Sequence, residues 1–550
     1  MRAPRTCGAL ARFLRCSAQR ITLAFWTWAG QGLDCRAEVV PWKTITGSRM
    51  PGDDAGSFDG PWVLVLDVGS SSVRCWLFDS TARGCDPGSG SRVRYSWDES
   101  DGAMMIDSEL LVEAVSSTID AALAHARTAG LEIAAVAVTT FWHSVMGLDA
   151  AGEAATELTG WGDTRAAGEA ERIANRVNAS DLHQRTGCFI HPSYPIVRIA
   201  ALQAAEPVRF ERVSAWASFG EYLEQRLFGE RRCSLSMASG SGLLNVHSLE
   251  WDDESLEIAG ITTRSLSRLV DADEPIVGLR EPFAERWPEL ASIPWFPALG
   301  DGACANLGSG AVGPERLGIT IGTTAAVRVL VEPVGHFEIP EELWAYRLDR
   351  KRWVVGGALS NGGNAHRFLS GNLELPSGAG WDEILEASGS DDHGLMVLPF
   401  LIAERGPRPG PDLGASLIGL RLDTAPEQIA RAWLEAIGYS IAGVCEKLES
   451  HFGARGAPRA SGGALHGSRR WTQILSDILG RPIVLPAERE ETSRGAAMMA
   501  LGALGAIPAG NLAEPSAAAE FRPDDEQHAR HVRAMQRHRR LENLLEDRAL

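Results

Sequence analysis

Apolar runs and polar turns alternate along the chain in a pattern that predicts its main elements. Trp62-Val-Leu-Val-Leu66 is an unbroken apolar run ended by Asp67 and Gly69, as in a buried strand. Val73–Phe78 follows across a glycine and serine turn, so the pair predicts a hairpin. Asp107 and Ser108 can cap a helix to about Ala129, with apolar residues at Leu110, Leu111, Ala114, Ile119 and Leu123. Ile133–Thr139 predicts another strand. About 250 residues after the first hairpin the motif recurs: Leu317-Gly-Ile-Thr-Ile321, then Gly322-Thr323-Thr324, then Ala325–Val331. Two related halves facing each other across a cleft are the expected arrangement. Ser461-Gly462-Gly463 precedes a helix-like run with Trp471, Ile474, Leu475 and Ile478. From about Leu512 the chain turns polar and, over Arg530–Arg540, basic, which predicts a solvated terminal helix.

Composition narrows the picture. The 550 residues and 59.1 kDa imply two to four domains, and 45% hydrophobic with 23% charged residues is globular composition. A net charge of −18 argues against nucleic acid or an anionic membrane as main partner. No apolar run approaches the roughly 20 residues of a membrane span. The nine cysteines form no CxxC pair, so reduced thiols and a cytoplasmic location are expected. Lysine is rare (Lys43, Lys351 and Lys447 among 53 basic residues), a skew read as coding bias. Residues 1–49 differ from the rest, with seven Arg and one Lys against one Asp and one Glu. Lacking a clear cleavage site before Met50, they read as an upstream extension outside the fold rather than a targeting peptide.

The two turns hold the first candidate chemistry. Asp67-Val-Gly-Ser-Ser-Ser-Val-Arg74 places Gly69, Ser70 and Ser71 where a hairpin reverses. Backbone N–H groups and hydroxyls there can hold phosphate oxygens, and Asp67 can hold Mg²⁺ through water. Either turn alone also fits an ordinary glycine and serine hairpin. Two hydroxyl turns on opposed domains, with Gly322, Thr323 and Thr324 in the second, could grip β- and γ-phosphates from both sides. No GxxxxGK[ST] loop is present. Phosphoryl transfer to an alcohol also needs a carboxylate to accept the hydroxyl proton. Asp301, opening the small-residue run Asp301-Gly-Ala-Cys-Ala-Asn306-Leu-Gly308, is the candidate; a plain helix N-cap is its structural alternative.

Together these residues resemble the FGGY family of carbohydrate kinases, of the sugar kinase/Hsp70/actin superfamily, over nearly all of residues 62–507. Both turns occur in family order. So do the signature stretch Ser416-Leu-Ile-Gly-Leu420 through Trp433-Leu-Glu435 and the adenosine segment from Ser461 to Ala497. Within the family the likeness is strongest to gluconate kinases, through Trp142-His143-Ser144, Trp161-Gly-Asp163-Thr-Arg165 and Thr186-Gly-Cys-Phe-Ile-His191-Pro192. Ala238–Asn245, Arg328 and Ser360-Asn361-Gly-Gly363 add to it. The resemblance implies an α/β fold of two actin-like (ribonuclease H-like) domains with mixed sheets, binding ATP and sugar between them. The implied boundaries are 60–312 for the sugar and phosphate domain, 316–507 for the nucleotide domain, and 508–550 for a polar tail.

Carried over by position, Asp301 resembles the general base. Asp67, Gly69, Ser70, Ser71, Arg74, Gly322, Thr323, Thr324, Gly363, Gly462 and Gly463 fall at nucleotide and phosphate positions. Trp142, His143 and Asp163 fall at sugar positions. A sugar acid also needs a cation or several N–H donors, for which Arg165, Arg198, Arg328 and His143 are candidates. The chain departs from relatives at Gly220-Glu221-Tyr222, at Ser234 and at Ala403-Glu404-Arg405-Gly406-Pro407. The expected activity is ATP- and Mg²⁺-dependent phosphorylation of a sugar acid, most simply D-gluconate, by a monomer or homodimer acting on small molecules. The alternatives are a kinase for another ketose or polyol, xylulose first, and a non-catalytic sugar sensor. An Hsp70-like ATPase fails on length, because too little chain follows the core.

Overall fold

The computed structural model describes residues 60–84, 90–376, 378–389, 392–402, 404, 414–507 and 514–546. The expectations for residues 1–49 and for the Ala403–Pro407 departure (Glu404 apart) lie outside the described residues.

The first sheet has five strands in the order Leu299–Gly300, Ile133–Thr140, Trp62–Gly69, Ser72–Phe78 and Ser91–Arg94. Trp62–Gly69 runs antiparallel to Ser72–Phe78 and parallel to Ile133–Thr140, so the sheet is mixed. All eight residues of this central strand are buried, because both faces are covered. Leu64 and Leu66 pack with Leu111, Val115 and Ile119 of the helix Ser108–Ala129. Val63 and Val65 point the other way, into the core that holds Ala496 and Met498 of the helix Glu491–Ala503. A strand buried on both faces reads as an unbroken apolar run. The Ser108–Ala129 helix begins as predicted, with the Asp107 carboxylate accepting the Glu109 N–H.

The second sheet repeats that topology. Gly313–Ile321 and Ala325–Val331 form its hairpin, Trp353–Leu359 the third antiparallel strand, and Arg459–Ser461 and Ile483–Pro486 the parallel pair. Two edge strands extend it to seven: Trp344–Arg347 beside Trp353–Leu359, and Ala517–Phe521 beside Ile483–Pro486. The 27-residue helix Pro426–Phe452 buries Trp433, Leu434, Ile437 and Ile441 in the core that also holds Val327, Val329 and Val355 of this sheet. The chain is thus a two-domain α/β protein with mixed sheets, as the recurrence of the hairpin motif predicts. Among the described residues, no helix is long and apolar enough to cross a membrane.

Two local expectations need correction. Asp301 is not the helix N-cap: Gly300 is, and Asp301 is the first residue of the helix Asp301–Gly308, its Oδ1 accepting the Gly302 N–H at 2.8 Å. The C-terminal region is not a solvated tail. Ala517–Phe521 completes the sheet edge, and the helix Asp525–Glu546 buries His531, Met535 and His538 although nine of its 22 residues are charged. Tyr439 of the long helix meets the His531 ring at 3.1 Å (Oη to Nδ1). The basic composition hid a one-sided buried face.

The helices Asp301–Gly308 and Glu491–Ala503 touch backbone to backbone. A Cβ on Gly308 would overlap the Glu491 carbonyl oxygen, and a Cβ on Gly495 would overlap that of Cys304. Five cysteines (Cys75, Cys188, Cys233, Cys304 and Cys445) are described, all buried as free thiols.

Candidate active site

The repeated topology turns the ends of both sheets toward one cavity of about 210 Å³. From the first domain come Ser70 of the hairpin turn, Phe141 to His143 just past Ile133–Thr140, and Asp301. From the second come the Gly322–Thr324 turn, Arg328, Trp344 and Tyr346. The structure therefore brings together eight of the predicted residues: Ser70, Trp142, His143, Asp301, Gly322, Thr323, Thr324 and Arg328.

Asp301 is placed by its glycine neighbours. A Cβ on Gly300 would overlap the Trp142 indole, and one on Gly302 would lie 2.7 Å from Trp142 Cζ3 and 3.0 Å from Arg328 Nε. Only glycine lets Trp142 and Arg328 lie this close to the backbone on either side of Asp301. Burial raises the Asp301 pKa above the ordinary carboxylate value; Arg328 and the Gly302 and Trp142 backbone N–H groups oppose that rise. Arg328 donates from Nη1 to Thr320 Oγ1 at 3.2 Å.

The opposite wall is aromatic. Trp344 and Tyr346 stack at 4.3 Å between centroids, and Trp142 meets Tyr346 edge-on at 5.0 Å. Trp142 is fixed by its Nε1–H, which donates to the Ser236 carbonyl at 2.9 Å. His143 has a left-handed backbone (φ 64°), and its Nδ1 lies 2.6 Å from the Gly240 carbonyl, so Nδ1 bears the proton. His191 has the opposite tautomer when neutral: its Nδ1 accepts the Ser193 backbone N–H at 3.1 Å, leaving the proton on Nε2.

Sequence reasoning did not single out Phe141, Trp161, His191, Ser193, Tyr194, Thr320, Trp344 or Tyr346 as site residues, yet all line the cavity. Trp161 and His191 stood inside recognised motifs. Trp344 and Tyr346 carried only the weaker signal of alternating aromatic residues on one strand face.

Two predicted sugar residues fall elsewhere. Asp163 and Arg165 do not line this cavity; they pair with each other at 2.6 Å, and the Asp163 carboxylate also accepts the Met104 N–H at 3.4 Å. Arg198 is buried and structural. It donates to Thr159 Oγ1, to the carbonyls of Gly160 and Ser193, and to the His143 carbonyl. With Asp163 near but not bonded to it, burial lowers its pKa to about 10. Of the four candidates for a substrate carboxylate, Arg328 and His143 remain on the cavity.

The first turn is tied to the second domain. Arg74 bridges Asp67 (3.1 Å) and Glu490 (2.9 Å), Arg92 also reaches Glu490 (2.8 Å), and Ser493 Oγ donates to Asp67 Oδ2 (3.2 Å). Asp67 Oδ1, fully buried, has no hydrogen-bond partner. Burial outweighs Arg74 and, helped by Glu490 and Asp301, raises the Asp67 pKa to about 6. Ser71 lies exposed at the turn, and the carbonyls of Gly69 and Ser70 are held by the Tyr95 hydroxyl and by Trp97 Nε1.

In the second domain three glycine segments converge. Gly363 N–H donates to the Gly322 carbonyl and Asn364 N–H to that of Thr323, both at 2.9 Å. Gly462 adopts φ 93° where a Cβ would overlap Ile321 O, while space around Gly463 is open. Such N–H-rich, side-chain-free backbone suits phosphate and ribose contacts.

Comparison with known proteins accords with this geometry. The N-terminal domain model of the FGGY family of carbohydrate kinases matches residues 62–308, and its C-terminal domain model matches residues 317–504. A gluconokinase from Bacillus subtilis (strain 168) is 29% identical over 458 residues, 81% of this chain and 88% of that protein. Among solved structures, a gluconate kinase from Lactobacillus acidophilus superposes with a TM-score of 0.80 at 22% identity. A xylulose kinase from the same organism gives 0.79 at 23%; each alignment covers 88% of this chain and 98% of the other. The chain belongs to the FGGY family of carbohydrate kinases.

Proposed function

We propose that this kinase transfers the γ-phosphoryl group of ATP to the primary hydroxyl of D-gluconate, giving 6-phospho-D-gluconate and ADP. The observation that supports it most is the presence of Asp301 and Arg328 on one cavity: a base for a hydroxyl beside a cation for a carboxylate. The likeness to gluconokinase over most of the chain points the same way.

In this reading Asp301 accepts the hydroxyl proton as the oxygen attacks phosphorus and the bond to ADP breaks. Trp142 and the Trp344–Tyr346 stack give the carbon chain an apolar wall, and Arg328 with His143 meets the carboxylate. Ser70, Ser71, Thr323 and Thr324 offer hydroxyl and N–H donors to phosphate oxygens, with Gly363, Gly462 and Gly463 leaving room for the nucleotide. The residues fit Mg²⁺ as well: Asp67 offers an unpartnered carboxylate oxygen, and magnesium commonly uses one or two carboxylates together with water and phosphate. Bound there, the cation would offset phosphate charge. Arg74 orients Asp67.

The reading is tested by ADP release with Mg-ATP across gluconate, xylulose, ribulose, glycerol and erythritol. Gluconate should give the highest kcat/KM; preference for a neutral sugar would overturn the substrate, and no release with any would favour the sensor. Arg328→Gln should raise the gluconate KM at least about tenfold, one charge-assisted contact, while the Mg-ATP KM changes little. Equal change in both would remove Arg328 from the carboxylate.

The raised carboxylates also set a pH dependence. Asp301 must be ionised to accept a proton, and Asp67 to hold a cation, so activity rests on deprotonated forms. As pH falls through about 6, where Asp67 takes up its proton, kcat/KM for Mg-ATP should decline. A profile flat from pH 8 down to about pH 5 would contradict the assignment.

A further inference from the structure

A second cavity, of about 440 Å³, lies on the far side of the strand that supplies Trp344 and Tyr346. We propose that it is a peripheral site for a phosphate dianion, free or as a sugar phosphate. His247, His336, Arg347, Arg350 and Lys351 line it, against the single carboxylate of Glu332. Its three cations, Arg347, Arg350 and Lys351, sit in a chain of net charge −18 and include one of its three lysines.

Among the described residues, two of the cations, Arg347 and Lys351, lack a carboxylate partner within ion-pair reach, while Arg350 also reaches Asp271. Arg347, 6% exposed, donates only to carbonyls: Nε and Nη2 to Val246 and Nη1 to Arg350. Its guanidinium stacks on Trp353 at 3.8 Å. Burial, against the opposing pull of Asp349 and Asp271, brings its pKa down to about 10. Nearby acids are otherwise engaged, Asp271 with Arg350 at 3.4 Å and Asp349 with Arg352 at 2.5 Å. His247 and His336 stack at 5.4 Å; burial chiefly, then His336 and Arg347, depresses the His247 pKa. A buried guanidinium without a bonded acid is costly, and an anion beside it would offset that cost.

The site is also connected to the catalytic cavity. Arg347 follows Tyr346 directly; its N–H donates to Ser239 Oγ at 2.9 Å and its guanidinium holds the Val246 carbonyl. The intervening segment carries the Gly240 carbonyl that fixes His143. An anion drawing Arg347 away from Val246 would move the segment that orients His143, and with it the sugar KM.

This proposal does not depend on which sugar is phosphorylated, and its test measures binding. Inorganic phosphate and 6-phosphogluconate are titrated calorimetrically into the full-length protein, its catalytic cleft saturated with Mg²⁺, a non-hydrolysable ATP analogue and whichever sugar the substrate panel selects. The wild type and the double variant Arg350→Gln/Lys351→Gln, both at exposed positions, are compared. One further site in the wild type, weakened at least tenfold in the double variant while its kcat without added phosphate is unchanged, is the expected result. Retention of only the inorganic phosphate response identifies free phosphate as the ligand. No binding beyond the catalytic cleft, or equal binding by the variant, overturns the proposal.

Discussion

Asp301→Asn is expected to lower kcat by about 10³-fold, within the usual range for removing a general base, while the affinity for Mg-nucleotide stays within a few fold. The substitution isolates the base for a structural reason. Asp301 opens its helix by accepting the Gly302 N–H, and an Asn carbonyl oxygen can accept the same bond. The helix, Trp142 and Arg328 therefore keep their positions while proton acceptance disappears. Single-turnover measurement with saturating substrates separates a slowed chemical step from slowed release. Turnover within tenfold of wild type would assign proton transfer to another group. A parallel collapse of nucleotide affinity would mean that the substitution had disturbed the cleft.

Gly495→Ala is expected to destabilise the fold by about 3 kcal/mol or more, the upper range for overpacking, with Tm lower by roughly 5 °C or more. Its new methyl group would overlap the Cys304 carbonyl oxygen, a backbone atom that cannot rotate away. Gly308→Ala meets the Glu491 carbonyl in the same helix crossing and should cost a similar amount. The two helices must part by the same distance to admit either methyl. The double variant should consequently lose clearly less than the sum of the singles, whereas independent sites would add. Thermal unfolding of all three proteins decides the matter. Additive losses, or a Gly495→Ala protein as stable as wild type, would show that the crossing can relax locally.

Much of this fold was legible because its signals are local. The hairpin turns at Gly69–Ser71 and Gly322–Thr324, the Asp107 cap and the doubly buried strand at Trp62–Gly69 each follow from adjacent residues. Asp301 stood out the same way, from a small-residue run around one carboxylate, and it lines the cavity. The rest depends on distant contacts. Trp344 and Tyr346 reach the cavity because a sheet edge some 200 residues beyond Trp142 folds over it. Asp163 and Arg165 carry family-like spacing, but the loop turns them on each other. The terminal helix reads as solvated because charge dominates it, yet His531, Met535 and His538 form its buried face.

The buried thiols give the molecule a built-in clock. Burial pushes Cys304 and Cys445 up to about 12 and raises Cys75 and Cys188 further, so at neutral pH only about one in 10⁵ of such groups is the reactive thiolate. Alkylation of these positions must then wait for the structure to open. Cys304 occupies the two-turn helix whose first residue is Asp301 and whose last is Gly308. Its labelling rate, read residue by residue in a mass spectrum, therefore times the separation of the Asp301–Gly308 helix from the helix crossing it, and ligands that hold the cleft together slow that clock without touching the sulfur.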